Sequence, residues 1–175
     1  RHIIGDDEPF AVLLPDDLVD APPGHSATEQ LTRVYEDTGC GAVALVEVPP
    51  GNESMYGMVA GEEVQPGRFR CTWMVEKPKP ADAPSNLGIV GRYVLPGRVF
   101  GYLAETKRGQ GGEIQLTDAL VRLMEADGCY GQILQGTRFD TGDVVGLIQA
   151  NVAYALKDPA IAARLKPLLR DLIGD

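Results

Sequence analysis

The sequence is short of the residues from which several kinds of site are built. Its two histidines, His2 and His25, stand alone, one at the terminus and one beside Pro-Gly, so neither a histidine-held metal centre nor a Ser-His-Asp arrangement is supported. The three cysteines, Cys40, Cys71 and Cys129, are scattered, odd in number and without CxxC spacing, which argues against a disulfide framework or a thiolate zinc site and fits a reducing cytosol. Positive charge is scarce: 16 Lys and Arg stand against 25 Asp and Glu, for a net charge of -9. Nucleic-acid polymers and anionic membranes need clustered cations, so both are disfavoured as partners. No apolar run approaches the roughly 18 residues of a membrane span and no signal-peptide pattern leads the chain, so a cytoplasmic location is expected. There is no internal repeat, no GxxxxGK[ST] loop and no strand-Gly-helix dinucleotide fingerprint. The first residue is Arg1 rather than methionine, which raises the expectation of a removed start or a piece of something longer.

What is present suits one domain. The 175 residues are 44% hydrophobic and 23% charged, an ordinary globular mixture with enough apolar mass for a core. Twenty-one glycines and 13 prolines imply many turns. The apolar run Phe10-Ala11-Val12-Leu13-Leu14 reads as a strand buried on both faces, which places Asp16 at the carboxyl end of a central strand. Ser26, with Glu29 three residues on, opens a helix through about Tyr35 that Gly39 and Gly41 end. Gly41 to Val48 is a buried strand, and Tyr56 to Val64 with Phe69 to Glu76 form a hairpin around Gln65-Pro66-Gly67. The prolines between Pro78 and Pro84 demand a surface loop. Leu87 to Leu95 is β-rich but broken by Gly88 and Gly91, and Arg98 to Thr106 is helical.

A glycine-rich connection, Gly109-Gln110-Gly111-Gly112, follows, with Thr117 or Asp118 capping a helix that turns Leu120, Leu123 and Met124 inward. Cys129 to Leu134 is a strand. Gly142-Asp143 opens a helix with Val144, Leu147, Ile148 and Val152 facing in. From Pro159 an amphipathic helix carries Ile161, Leu165, Leu168, Leu169 and Leu172, which Pro167 is expected to kink or split. Trp73 is assigned to the core. Alternating strands and helices with a few hairpins make this an α/β layered fold.

Carboxylates at strand ends are the chemistry-bearing features. Asp16-Asp17 follows the first strand, where open α/β sheets bind ligands, and hard oxygen ligands there suit magnesium and a phosphate-bearing substrate; the plain alternative is a turn. Phe139-Asp140-Thr141-Gly142-Asp143 repeats the arrangement between a strand and a helix, the alternative being an N-cap with an acidic first turn. Two such ends, if they converge, make a magnesium site that steadies transferring phosphoryl or nucleotidyl groups. Glu76-Lys77-Pro78 ends another β run: the carboxylate can accept from sugar hydroxyls, and the ammonium can meet a phosphate. Pro78 forces an extended kink that could bring both to one rim; a solvated ion pair is the alternative. Gly57 offers a bare backbone to a ligand, or marks a bulge.

In order along the chain, Phe10-Ala11-Val12-Leu13-Leu14-Pro15-Asp16-Asp17, Tyr56-Gly57, Val75-Glu76-Lys77-Pro78, the stretch from Ala83 to Tyr93, Gly111-Gly112-Glu113-Ile114-Gln115-Leu116-Thr117-Asp118 and Phe139-Asp140-Thr141-Gly142-Asp143 resemble bacterial UTP:glucose-1-phosphate uridylyltransferases, also called UDP-glucose pyrophosphorylases. The resemblance covers nearly the whole chain. It implies an α/β fold with a Rossmann-like mixed sheet of the sugar nucleotidyltransferase type flanked by helices, incomplete at the N-terminus. It implies magnesium-dependent transfer of UMP from UTP to glucose 1-phosphate, giving UDP-glucose and pyrophosphate. Carried over by residue, Asp16 and Asp140 hold the Mg2+, Lys77 contacts the sugar phosphate, Glu76 binds glucose hydroxyls, the Gly57 backbone reads the sugar, and the strand holding Ile89 and Val90 lines its pocket. These make Asp16, Lys77 and Asp140 the catalytic candidates. Asp17 could face away from the metal.

The resemblance also has a gap. The GxGTRxxPxTK-type nucleotide loop of such enzymes has no counterpart here, and Gly136-Thr137-Arg138 is not that loop because it follows a late strand. Residues 1–156 are therefore expected to be the sugar- and metal-binding part of a nucleotidyltransferase domain, with 157–175 a C-terminal amphipathic helix offering an oligomer contact. The missing N-terminal segment is itself an expected partner, and the 175 residues alone are expected to be inactive and poorly stable. Within the class a thymidylyltransferase is an alternative. Outside it stand a non-catalytic sugar-phosphate binding or assembly module and a covalent-aspartate hydrolase, for which no supporting lysine and threonine motifs are found.

Overall fold

The computed structural model describes residues 3–109 and 112–174. Arg1 and His2, and Gln110-Gly111 of the glycine-rich connection, lie outside the described residues. Strands β1 (Pro9–Leu13), β3 (Gly41–Glu47), β4 (Gly57–Gln65), β5 (Arg68–Glu76), β6 (Leu87–Pro96) and β7 (Cys129–Ile133) form one mixed sheet in the order β1-β6-β3-β7-β5-β4. The β3–β7 pairing is parallel, and the other pairings of this sheet are antiparallel. A second, two-stranded ribbon pairs β2 (Asp17–Asp20) with β8 (Thr137–Asp140). Helices α1 (Ala27–Thr38), α2 (Val99–Glu105), α3 (Leu116–Asp127), α4 (Val144–Ala155) and α5 (Pro159–Ile173) flank these strands.

The spine is β6, buried at all ten positions. Its glycines do not break it. They let neighbours approach: a Cβ on Gly91 would stand 2.6 Å from Asp17 Oδ2, and one on Gly88 would stand 2.5 Å from Val48 Cγ2. Alternation along β3 builds two cores, one per face. Val43 and Leu45 join Leu120 and Leu123 of α3, whereas Ala42 and Ala44 join Leu31 and Val34 of α1 together with Val90 and Val94. The start of α1 follows its sequence signal, with the Ser26 hydroxyl accepting from Glu29 N at 3.2 Å, and its end falls on Gly39 in the left-handed conformation.

Several expectations fail for identifiable reasons. Strand β1 is an edge strand paired only with β6, so its residues alternate between exposed and half-buried rather than lying between two layers. Asp16 accordingly sits in a turn beyond an edge strand, not a central one. Trp73 is 55% exposed, since the positions that β5 buries are Cys71 and Met74. Val144, Leu147 and Ile148 of α4 are exposed instead of inward, and Ala150 is the position that helix buries. Pro167 sits inside α5 without dividing it. Helix α3 is preceded by Gln115 as N-cap, and neither Thr117 nor Asp118 caps it; the Thr117 hydroxyl is committed elsewhere.

Candidate functional site

The β2–β8 ribbon joins the two acidic motifs. Its register sets Asp17 opposite Asp140, although 123 residues separate them in the chain, so the turn carrying Asp16 meets the segment leading into α4. Asp17 itself points inward and is buried: Gly91 N donates to its Oδ2 at 2.7 Å, and Arg138 Nε donates to its Oδ1. Arg92, also buried, locks the same turn by donating to the carbonyls of Asp17, Leu14 and Gly91. Arg138 reaches Asp140 Oδ2 at 3.1 Å and lies 5.8 Å from the centre of the Tyr56 ring. Burial works against its charge, but the hydrogen bond and negative charge of Asp17 outweigh that cost and raise its proton affinity above the usual arginine value.

With Asp17 tied up as a structural anion, Asp16 and Asp140 are left to face a common space. A Cβ on Gly142 would stand 3.3 Å from Asp16 Oδ2 and 3.3 Å from Asp140 Oδ1. The two carboxylates thus flank one stretch of bare backbone, and a side chain at Gly142 would fill the gap. Thr141 fastens the two loops: its N–H and its hydroxyl both donate to Asp16 O, at 2.7 and 3.0 Å. Gly142 N donates to Asp140 Oδ1 at 3.2 Å. Among the described residues no cluster of three or more His, Cys, Asp or Glu side chains could hold a metal. Two carboxylate donors are nonetheless what a magnesium ion uses when water and substrate phosphates supply the rest of its octahedron, so the donor set fits that ion.

A second group forms where β4, β5 and β6 meet. Gly57 pairs with Glu76 on one side and with Ile89 on the other, and a Cβ there would lie 3.1 Å from Glu76 Oε2 and 3.0 Å from Thr117 Oγ1. The register shifts of this hairpin fall at Ala60/Gly61 and Glu63/Gln65 rather than at Gly57. Glu76 Oε2 accepts from the Thr117 hydroxyl at 2.5 Å, and Lys77 Nζ stands 3.8 Å from Glu76 Oε1. Adjacent strand residues ordinarily face opposite ways; Lys77 escapes this with φ of 43°, a conformation unusual for a side-chain-bearing residue, and its N–H is held by Tyr56 O at 3.0 Å. Gly57, Glu76, Lys77 and Ile89 are therefore brought together. Val90 is not: its side chain turns to the opposite face and packs in the α1 core.

Tyr56 and Tyr93 connect the two groups. Tyr56 precedes Gly57, holds the Lys77 N–H and carries Arg138 over its ring. Tyr93 is only 9% exposed, and its phenol is pushed up to about 12, first by burial and then by the negative charges of Glu76 and Asp17. Three residues here escaped the sequence reading. Thr117 reads from sequence as a helix cap, Tyr93 stands there only as the end of a family-like stretch, and Arg138 has a local signal: it stands two residues before Asp140, the spacing that puts two side chains on one face of a strand.

Comparison with known proteins places this geometry in context. No protein-family model matches the chain. It is similar to the UTP--glucose-1-phosphate uridylyltransferase of Pseudomonas aeruginosa strain PAO1, with 47% identity over 156 residues, covering 88% of this chain and 55% of that protein. The protein of the same name from Staphylococcus epidermidis strain RP62A is 41% identical over 172 residues, covering 98% of this chain and 59% of that one. Among solved structures, a UDP-glucose pyrophosphorylase complexed with UDP-glucose superposes with a TM-score of 0.84 at 41% identity, over 90% of this chain and 59% of that one. UTP-bound UGPase from Acinetobacter baumannii superposes at 0.81 with 34% identity, over 95% and 57%. The chain spans a little more than half the length of the relatives it matches. The resemblance read from its motifs holds over most of the chain, and its mixed sheet with flanking helices is the sugar nucleotidyltransferase fold of those neighbours.

Proposed function

We propose that this chain supplies the sugar-binding and metal-binding part of a UTP:glucose-1-phosphate uridylyltransferase. The observation that carries the reading is the convergence of Asp16 with Asp140 across the ribbon, joined through Arg138 and Tyr56 to the cluster of Gly57, Glu76 and Lys77. In the reaction, an oxygen of glucose 1-phosphate attacks the α-phosphorus of UTP in line and pyrophosphate leaves. Such chemistry depends on positioning and on neutralising phosphate charge. Glu76 accepts from glucose hydroxyls, the side-chain-free face of Gly57 lets the sugar approach the backbone, and Lys77 meets the sugar phosphate. Asp16 and Asp140 would hold a magnesium ion, which supplies charge neutralisation at the phosphates.

Uridine rather than thymidine is favoured by the relatives. Those named uridylyltransferase are 41% and 47% identical to this chain. Among the described residues no helix is long and apolar enough to cross a membrane. The exposed apolar residues Leu168, Leu172 and Ile173 of α5 support a homo-oligomer contact through the C-terminal helix. Light scattering at micromolar concentrations should then return a mass above the 18.8 kDa of one chain; a monomer throughout would contradict that contact.

Calorimetric titration with UDP-glucose tests the functional reading. Glu76→Ala should weaken binding about tenfold or more, the loss expected when hydrogen bonds to a charged acceptor are removed. Undiminished affinity would refute the sugar role.

A further inference from the structure

Thr117 is a threonine in the first turn of a helix that does none of a cap's work. The N-cap position belongs to Gln115, and the Thr117 hydroxyl crosses from α3 to β5 to donate to Glu76 Oε2 at 2.5 Å. Thr117 is itself buried. Its hydroxyl also stands 3.0 Å from where a Cβ on Gly57 would lie, so α3, β4 and β5 meet at one carboxylate. A carboxylate's terminal torsion is broad, and among the described residues no backbone N–H donates to the Glu76 carboxylate at the end of its strand. Lys77 approaches the other oxygen only at 3.8 Å, from a side chain more than half exposed. A threonine hydroxyl, stiff about χ1, is the buried donor that fixes the plane of this carboxylate. One proton given to Oε2 uses one of roughly four lone-pair positions and leaves the others to accept from a ligand.

We propose that Thr117 is a positioning residue for Glu76: its hydroxyl orients the carboxylate toward the hydroxyls of the sugar moiety of a sugar nucleotide. This rests on the sugar-binding role proposed for Glu76, and it gives the Gly111–Asp118 motif a function beyond connecting α2 to α3.

The test is a double-mutant cycle read by the dissociation constant for UDP-glucose, in the enzyme that this chain forms together with a nucleotide-binding segment, as wild type, Thr117→Val, Glu76→Ala and the double variant, with Thr117→Ser alongside and folding checked by circular dichroism. Thr117→Val should weaken binding about tenfold, the scale of one hydrogen bond to a charged group, and Thr117→Ser should restore most of the affinity. In the Glu76→Ala background Thr117→Val should cost nothing further, since a residue that acts through another has no effect once that other is gone. A purely structural role would add its cost in both backgrounds, and that result would overturn the proposal. Should Thr117→Val fail to fold, Thr117→Ala takes its place in the cycle with the same expectations. A wild-type enzyme, complete with its nucleotide-binding segment, that does not bind UDP-glucose would overturn the functional reading together with this inference. Wild-type binding that Thr117→Val leaves intact would overturn the inference alone.

Discussion

Asp17 and Asp16 show how neighbouring identical residues acquire different work. Asp17 is enclosed by the Gly91 N–H, Arg138 and the turn that Arg92 clamps, while the carboxylate of Asp16 takes no hydrogen bond among the described residues. The close approach at Gly91 makes that position intolerant. Gly91→Ala would put a methyl 2.6 Å from Asp17 Oδ2 and 2.7 Å from Leu14 Cβ, and should cost about 1–3 kcal/mol in urea unfolding. An unchanged midpoint would mean that the turn yields. Tyr93 offers a test by pH. An unfolded tyrosine ionises near pH ~10, whereas this phenol holds its proton to about 12. Between those values the unfolded chain has lost a proton that the folded chain keeps. The stability contributed is therefore complete below the unfolded value and is lost as pH climbs toward the folded one. In a spectrophotometric titration Tyr93→Phe should remove the last phenolate to appear; a wild-type titration with no such late component would contradict the burial described.

Among the elements, the ribbon matters most to the site and was the least legible. Strands β2 and β8 have four residues each, Asp-Leu-Val-Asp and Thr-Arg-Phe-Asp, too short and too charged to display a period. They exist because they pair with one another across the chain, and no local pattern encodes that pairing. Arg138→Met should unravel the ribbon at about 3 kcal/mol, because it leaves the Asp17 charge buried without its partner. Urea denaturation would measure this, and a loss near zero would show that Asp17 is solvated some other way. The longer elements were readable: α1 announces itself by Ser26 and Gly39, and the β4–β5 hairpin by Pro66-Gly67. Trp73 and the apolar face of α4 misled because hydrophobicity says that a residue prefers cover, not that this chain provides it. The site residues Asp16, Gly57, Glu76, Lys77 and Asp140 were legible as motifs. What brings them together, the register of two short strands and the positive φ of Lys77, was not.

The molecule as a whole carries two groups of candidate residues: a pair of carboxylates held apart by bare Gly142, and a carboxylate, ammonium and glycine at the junction of three strands. The net charge of -9 repels polymeric phosphate, yet under the proposed function a single sugar nucleotide would engage both groups, with Asp16 and Asp140 holding the divalent cation that would neutralise its phosphates. The most direct test is an amide-resolved NMR titration of the chain with UDP-glucose, with and without magnesium. Sugar-dependent shifts are expected at Gly57, Glu76 and Lys77, joined on adding magnesium by shifts at Asp16, Asp140 and Gly142. Magnesium-dependent shifts that spare Asp16 and Asp140, or binding that leaves Gly57 and Glu76 undisturbed, would contradict the proposed function.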